Sequence, residues 1–127
     1  MPRLNLNTFR TTPAKTARST LETDRLALRK KVYSKARWQR LKKLYLSDHP
    51  LCEVCLARGK YVPATHVHHK YSFTLCTDYS TAMAVAFDPD NLCSICDRCH
   101  GIIHHQCGQT NGQTPEDMAK IVEKHGD

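Results

Sequence analysis

The chain has 127 residues, which is enough for one compact domain and too few for two ordinary ones. An apolar content of 40 % with 7 % aromatic residues allows only a modest core, so a structural staple is expected. No apolar run approaches the roughly 20 residues that span a bilayer, and Met1 to Asn5 open no signal-peptide segment. The composition therefore argues against a membrane protein and predicts a cytoplasmic one.

The formal charge of +7 is unevenly distributed along the chain. Residues 1–43 hold 13 Lys and Arg against two acidic residues, whereas residues 44–127 hold 6 against 10. A segment this basic suits a polyanion, because phosphate contacts by Lys and Arg release condensed counterions. The alternative is a solvated tail that keeps the protein soluble. The asymmetry favours contact with nucleic acid.

The N-terminal third divides into an arm and a basic helix. Residues 1–25 lack apolar periodicity and predict a flexible basic arm. A helical pattern begins at about Arg25 and is clearest after Ser34, a candidate N-cap. It should end near Asp48, because Pro50 disfavours helix at the residue before it. We expect its apolar face, with Trp38, to pack on a metal-bound core. Its basic residues are candidates for the DNA backbone: Lys35, Arg37, Arg40, Lys42 and Lys43.

The remaining elements are shorter. Val62–Phe73 contains alternating and β-branched residues and predicts a strand, and residues 74–90 predict a connection without regular structure. Asn91 opens a second short strand. Asp97–Gln106 predicts a short helix. A last helix is expected from Thr114, its N-cap, to Lys124.

Four cysteines form two pairs at metal-ligand spacing. Cys52 and Cys55 make one Cys-x-x-Cys turn, and Cys96 and Cys99 make the other. Two such turns complete a tetrahedron of thiolates around Zn²⁺, and a closed Cys₄ site is structural because it leaves no open position. The alternatives are incidental or redox-active pairs, which reduced cytosolic cysteines disfavour. The other three cysteines are expected to serve packing or to lie at the surface: Cys76, Cys93 and Cys107.

Histidine is the second group of candidate ligands. His68 and His69 are adjacent on a predicted strand, so their side chains should point to opposite faces. His100 and His104 are separated by four residues on a predicted helix, so they share a face on which two imidazoles can bind one ion. The set His68, His100 and His104 would make an open metal site of the catalytic kind.

The order of these features resembles a known family. His68-His69, then Asp90-Asn91-Leu92, then Cys96-x-x-Cys99-His100-x-x-x-His104 resembles the HNH motif of the ββα-metal nucleases. The stretches around Tyr33–Lys43 and Pro50–Cys55, with Ala64–His69, look like the zinc-containing HNH proteins of phages and prophages. The resemblance covers roughly residues 32–106.

The resemblance implies an α+β fold, a small ββα-metal (His-Me finger) domain with a structural Cys₄ zinc site, preceded by a basic helix. The expected organisation is an arm over residues 1–25, the nuclease domain over residues 26–108, and a tail with a short helix over residues 109–127. The implied location is the cytoplasm of a bacterium or of a phage-infected host cell.

The resemblance also implies a division of work among the site residues. His69 would be the general base, and one catalytic divalent metal would lie on His68, His100 and His104. Asn91 would hold the loop between the strands and so aim His69. Position 68, which is Asp in many members, is His here, so Zn²⁺, Ni²⁺ and Mn²⁺ are candidates and the preference for Mg²⁺ is open. Two competing ligands are His66, on the face of His68, and His105, beside His104.

The predicted function is a metal-dependent HNH endonuclease or nickase that hydrolyses DNA phosphodiester bonds. Its expected partner is DNA, bound mainly through the phosphate backbone, and a phage packaging or recombination context is compatible with it. The alternative is a non-catalytic zinc-finger module that binds DNA. His69 together with Asn91 favours the enzyme, because a binding module needs neither residue.

Overall fold

The structure, a computed structural model, describes residues 24–126. Of the predicted basic arm, residues 1–23 lie outside the described residues. Within the described part, six helices and two strands follow one another: α1 (residues 24–33), α2 (Ala36–Asp48), α3 (Glu53–Ala57), β1 (His66–His69), α4 (Tyr79–Ala86), β2 (Leu92–Ile95), α5 (Asp97–Cys107) and α6 (Pro115–Gly126). Short 3₁₀ turns lie at Phe73–Leu75 and Pro89–Asn91.

The two strands form one antiparallel sheet. His66 lies opposite Ile95 and His69 lies opposite Leu92, so each of the four residues of β1 has a partner on β2. Helix α5 follows β2 directly and packs against β1. This strand–strand–helix unit and the four-cysteine cluster confirm the expected α+β fold of the ββα-metal type.

Two apolar clusters flank the sheet, and consecutive residues of β2 contribute to different ones. Leu92 belongs to a cluster with Trp38, Phe73 and Phe87. Cys93 and Ile95 belong to the other cluster, which contains the two cysteine pairs. This division follows from the alternation of side chains along a strand. Three residues of α6 complete the second cluster: Met118, Ala119 and Val122.

The basic helix α2 lies where it was predicted, with two differences. Its N-cap is Lys35 rather than Ser34, and no side-chain hydrogen bond caps it. Its apolar residues Trp38 and Tyr45 pack with the aromatic cluster, not with the cysteine cluster, so the expectation of packing on the metal-bound core is wrong. The predicted end at Asp48 is confirmed.

The predicted strand over Val62–Phe73 is too long. Only His66–His69 pair with β2, because Pro63 forms an isolated bridge with Leu51 and Phe73 begins a 3₁₀ turn. The connection over residues 74–90 contains a helix that was not predicted. Asp78 caps this helix α4 by accepting a hydrogen bond from the backbone N–H of Thr81 at 2.9 Å.

The C-terminal helix packs on the cysteine cluster rather than standing apart from it. Thr114 and Asp117 cap it reciprocally, with N–H···O distances of 3.1 and 3.2 Å, as the predicted N-cap requires. Met118 and Val122 are fully buried. The division into an arm, a nuclease domain and a tail stays a prediction. No helix among residues 24–126 combines the length and the apolar character needed to cross a membrane.

Candidate metal centres and active site

The four paired cysteines meet in one buried cluster. Cys52 and Cys55 lie at the start of α3, and Cys96 and Cys99 lie at the start of α5. The Sγ atom of Cys55 is 3.9 Å from that of Cys96 and 3.6 Å from that of Cys99. Zn–S bonds of about 2.3 Å at tetrahedral angles separate sulfurs by about 3.8 Å, so the four thiols fit zinc.

Backbone N–H groups support this fit. In each knuckle the second cysteine donates its N–H to the sulfur of the first, at 3.4 Å for Cys55 to Cys52 and 3.5 Å for Cys99 to Cys96. A hydrogen bond from Cys99 lowers the pKa of Cys52 to about 5, whereas burial raises the pKa of Cys55 to about 11. Four adjacent thiols do not all ionise without a cation among them, so this cluster has the chemistry of a metal site.

A second cluster brings three histidines together. His68 comes from β1, and His100 and His104 come from successive turns of α5. One ring nitrogen from each lies within 4.8 Å of the others, and the Nε2 atoms of His100 and His104 are 3.0 Å apart. Bonds of about 2.1 Å at angles between 90° and 109° place two ligand nitrogens about 3.0–3.4 Å apart, so these imidazoles fit a divalent cation.

The competing histidines lie elsewhere. His66 stacks on His100, with ring centroids 4.7 Å apart, and its Nδ1 is bonded to the hydroxyl of Thr65 at 2.8 Å. Among the described residues, neither His66 nor the exposed His105 belongs to the group of three histidines whose ring nitrogens converge. Of the candidate histidine ligands, the structure brings together His68, His100 and His104.

His69 points to the other face of the sheet, as adjacent strand residues should. Its ring stacks on Trp38 at a centroid distance of 4.9 Å and meets Phe73 edge-on at 5.0 Å. Its Nε2 lies 2.9 Å from the carbonyl oxygen of Ala86, at the end of α4. Because a carbonyl can only accept, Nε2 carries the hydrogen and Nδ1 is left as the basic nitrogen.

Asn91 ties the end of β1 to the loop that carries this carbonyl. Its Oδ1 accepts the N–H of Tyr71 at 2.8 Å, and its Nδ2 donates to the carbonyls of Tyr71 at 2.9 Å and Val85 at 3.2 Å. Its own carbonyl accepts the N–H of Lys70 at 2.8 Å. Asn91 therefore joins the residues after His69 to the residue before Ala86.

The segment after α5 supports the same strand from another direction. The hydroxyl of Thr110, which is 2 % exposed, donates to the carbonyl of His69 at 3.0 Å and lies 3.4 Å from Nε2 of His68. The carbonyl of Thr110 accepts the N–H of Ser72 at 2.8 Å. Thr110 thus contacts both His68, through its ring, and His69, through its backbone.

All four candidate active-site histidines line one cavity of about 50 Å³: His68, His69, His100 and His104. Helix α1 supplies two more of its walls, Arg29 and Tyr33, and the segments after β1 and α5 supply hydroxyl and amide groups. None of the described residues that line this cavity is acidic. The cavity is therefore shaped by neutral imidazoles and one cation, which is an environment for an anionic ligand.

A crystal structure with the same arrangement of elements is known. The HNH endonuclease of the deep-sea thermophilic bacteriophage GVE2, crystallised with a manganese ion, matches this chain with a TM-score of 0.54 and 28 % sequence identity. The match covers 67 % of this chain and 90 % of that one. This match confirms the resemblance to the HNH endonucleases. No model of a protein family matches the chain, and no curated protein matches it significantly. The structural match supports a nuclease function in general.

Burial keeps the imidazoles of this site neutral in the absence of metal. It lowers the pKa of His68 to about 3, with the neighbouring His104 and His100 lowering it further. It lowers the pKa of His100 to about 4, and it lowers the pKa values of His69 and His104 as well. Neutral imidazoles are the form that binds metal, so few protons compete with a cation near neutral pH.

Of the five basic residues predicted to meet DNA, four lie on α2 and Lys35 is its N-cap. Lys35, Arg40 and Lys43 are exposed, and Lys42 is half-buried. Arg37 places its guanidinium 4.2 Å from the centre of the Phe87 ring, so its side chain is held against the aromatic cluster.

Several residues of this candidate site were not predicted from the sequence. Arg29 lies in a stretch of α1 where periodicity alone gives no function, and Thr110 lies after the HNH motif. The position of the Ala86 carbonyl depends on α4, and the sequence feature that could have predicted α4 is Asp78, which caps it through Thr81. The stacking of Trp38 on His69 joins two residues 31 positions apart, which no local pattern reveals.

Proposed function

We propose that this protein is a metal-dependent HNH endonuclease or nickase that hydrolyses DNA phosphodiester bonds. The observation that carries the proposal is the hydrogen bond between Nε2 of His69 and the carbonyl of Ala86, because it assigns the tautomer of the ring. Nε2–H donates to the Ala86 carbonyl, which leaves Nδ1 unprotonated and without a hydrogen-bond partner among the described residues, on a ring that lines the same cavity as the three-histidine cluster. A basic nitrogen beside an open metal site is the arrangement for activating water against a phosphodiester.

In the proposed reaction Nδ1 of His69 takes a proton from a water molecule as the water oxygen attacks phosphorus. The bond from phosphorus to the 3′-oxygen then breaks, and that oxygen leaves with a proton from solvent. Stacking on Trp38 and the hydrogen bond to Ala86 hold the ring in one orientation, so His69 loses little freedom when it acts. Asn91 acts in this scheme as a positioning residue, since it holds the backbone on both sides of that hydrogen bond.

His68, His100 and His104 are proposed to hold the catalytic cation. When bound there, a divalent metal would act as a Lewis acid and stabilise the negative charge that develops on the phosphate. Because all three ligands are neutral, no charge from the protein offsets that of the ion. Mg²⁺, Mn²⁺, Ni²⁺ and Zn²⁺ are candidates, and an all-imidazole set favours the softer ones.

The second proposed metal is structural Zn²⁺ on Cys52, Cys55, Cys96 and Cys99. Its ligands are buried in the cluster that α6 completes, so the ion would be part of the core. The proposed contact with DNA is made through phosphates by the basic residues of α2, four of which are exposed: Lys35, Arg37, Arg40 and Lys43.

The test is relaxation of supercoiled plasmid by purified protein over a panel of the four divalent metals. Wild type should nick in at least one metal, and His69→Ala should abolish nicking while both metal contents, measured by elemental analysis, stay unchanged. His105→Ala is the matched control, because it removes an exposed histidine near the site without touching the cavity. Wild type that binds the plasmid but nicks it in no metal would favour the non-catalytic DNA-binding module instead.

A further inference from the structure

We propose that Arg29 of helix α1 binds a non-bridging oxygen of the scissile phosphate and positions that phosphate between the three-histidine cluster and His69. This inference rests on the proposed function and deepens it, because it adds a residue outside the HNH motif to the reaction site.

Arg29 is placed in the site by the packing of its own helix. Val32 is fully buried in the aromatic cluster, and the ring of Tyr33 contacts Trp38 at 5.6 Å and Phe73 at 5.7 Å between centroids. These contacts anchor the last turn of α1. Arg29 lies one turn before Tyr33, on the same face, and both line the cavity. Anchoring one residue of this pair therefore fixes the direction from which the other enters.

The surroundings of Arg29 favour an anion rather than an internal ion pair. Arg29 lines the same cavity as His100 and His104, which places its side chain beside the three-histidine cluster. No Asp or Glu is among the described residues that line the cavity. A guanidinium offers planar paired donors that match two phosphate oxygens, and it keeps its charge at every working pH.

The position of Arg29 distinguishes it from basic residues that would only contact the DNA backbone in general. Lys30 and Lys31 follow Arg29 on α1 and are also exposed, but neither lines the cavity. Lys31 instead lies 5.2 Å from the ring centre of Tyr79. Among the basic residues on the described part of α1, Arg29 is the one that lines the cavity with the histidines. Replacing Arg29 should therefore weaken phosphate binding, whereas replacing Lys30 should not.

The experiment compares Arg29→Ala, Arg29→Lys and the control Lys30→Ala. The first readout is binding of inorganic phosphate to Mn²⁺-loaded and metal-free protein, followed by ³¹P NMR and calorimetry. The second is the single-turnover nicking rate of plasmid. Loss of one charge-assisted hydrogen bond to phosphate should weaken phosphate binding and slow nicking by about 10- to 100-fold in Arg29→Ala. Arg29→Lys should recover part of this loss, and Lys30→Ala should stay within about two-fold of wild type. Mn²⁺ affinity, titrated separately, should be unchanged in all three.

The outcomes separate this inference from the proposed function. If wild type nicks and Arg29→Ala equals Lys30→Ala in both readouts, Arg29 is only a solvated surface cation and the inference is overturned, while the nuclease stands. If phosphate binding depends on Arg29 although wild type nicks nothing, the anion site stands and the nuclease fails. A loss of Mn²⁺ affinity or of folding, by circular dichroism, in both Arg29 variants would overturn the phosphate role and make Arg29 a structural residue.

Discussion

Substitution of Asn91 offers the sharpest test of how the ring of His69 is positioned. It makes three hydrogen bonds to backbone groups, namely the N–H and carbonyl of Tyr71 and the carbonyl of Val85. Asn91→Ala removes all three, and each is worth about 1 kcal/mol in a half-buried setting, so unfolding should become easier by about 2–3 kcal/mol. For a domain of this size that corresponds to a fall in Tm of about 10 °C.

Asn91→Asp is the more informative variant, because it keeps the shape and the bond from Tyr71 N–H. Its second carboxylate oxygen would face the carbonyls of Tyr71 and Val85, which are acceptors, so two attractive contacts become repulsive. We expect Asn91→Asp to be at least as destabilising as Asn91→Ala, although it is the closer isostere. The nicking rate should fall in both variants while Mn²⁺ affinity changes little, because Asn91 contacts no candidate ligand.

The assay is urea and thermal unfolding by circular dichroism, at fixed excess Zn²⁺ so that loss of metal does not enter the comparison. Asn111→Ala is the control, since its side chain is exposed and should change the free energy of unfolding by less than about 0.5 kcal/mol. An Asn91→Asp protein as stable as wild type would refute the assignment of Nδ2 as donor to both carbonyls. Unchanged nicking in both Asn91 variants would refute its role in aiming His69.

Three further predictions concern the zinc site, a buried hydroxyl and the arm. Cys96→Ser, or removal of zinc by a chelator, should unfold the domain, because binding of a structural zinc contributes about 10–16 kcal/mol, which exceeds the stability of most domains. Cys76→Ser, which lies outside the cluster, should stay folded by circular dichroism. A Cys96→Ser protein that is folded without zinc would contradict the structural role of the metal. Thr110→Val should lower the free energy of unfolding by about 1–2 kcal/mol in urea titrations, because the carbonyl of His69 loses its hydrogen-bond donor. Thr110→Ser keeps the hydroxyl and should restore most of this free energy. A Thr110→Val protein as stable as wild type would count against the hydrogen bond. Deletion of residues 1–23 spares α1 and should weaken the salt dependence of DNA binding. The slope of the logarithm of the DNA-binding constant against the logarithm of the salt concentration should fall in magnitude by about 0.9 for each phosphate that the arm neutralises. An unchanged slope would mean that the arm only keeps the protein soluble.

Sequence spacing predicted the candidate ligands because local structure enforces the direction of closely spaced side chains. Two cysteines three apart in a turn, or His100 and His104 four apart on a helix, share a direction whatever the rest of the chain does. The choice of His68 over His66 needed the register of β1 with β2, since alternation gives both residues the same face.

The rest of the site depends on interactions between distant segments. The carbonyl of Ala86 is aimed by α4, and α4 has little amphipathic pattern because its residues are mostly small and apolar. The sequence does not reveal which cluster α2 packs against, because an apolar face shows that a helix is buried without showing against what. Arg29 and Thr110 reach the site from either side of the motif, through a tertiary arrangement that the spacing of the motif does not encode.

Helix α5 begins with Cys96 as its N-cap, and Cys99 and His100 are neighbours on it. One rigid element thus supplies half of the thiol cluster and two of the three imidazoles. A cation that holds the four thiols would therefore also fix the start of α5, and with it the direction in which His100 and His104 meet His68. If both proposed metal sites are correct, a newly made chain would stay inert as a nuclease until it acquired zinc, whatever the concentration of the second metal.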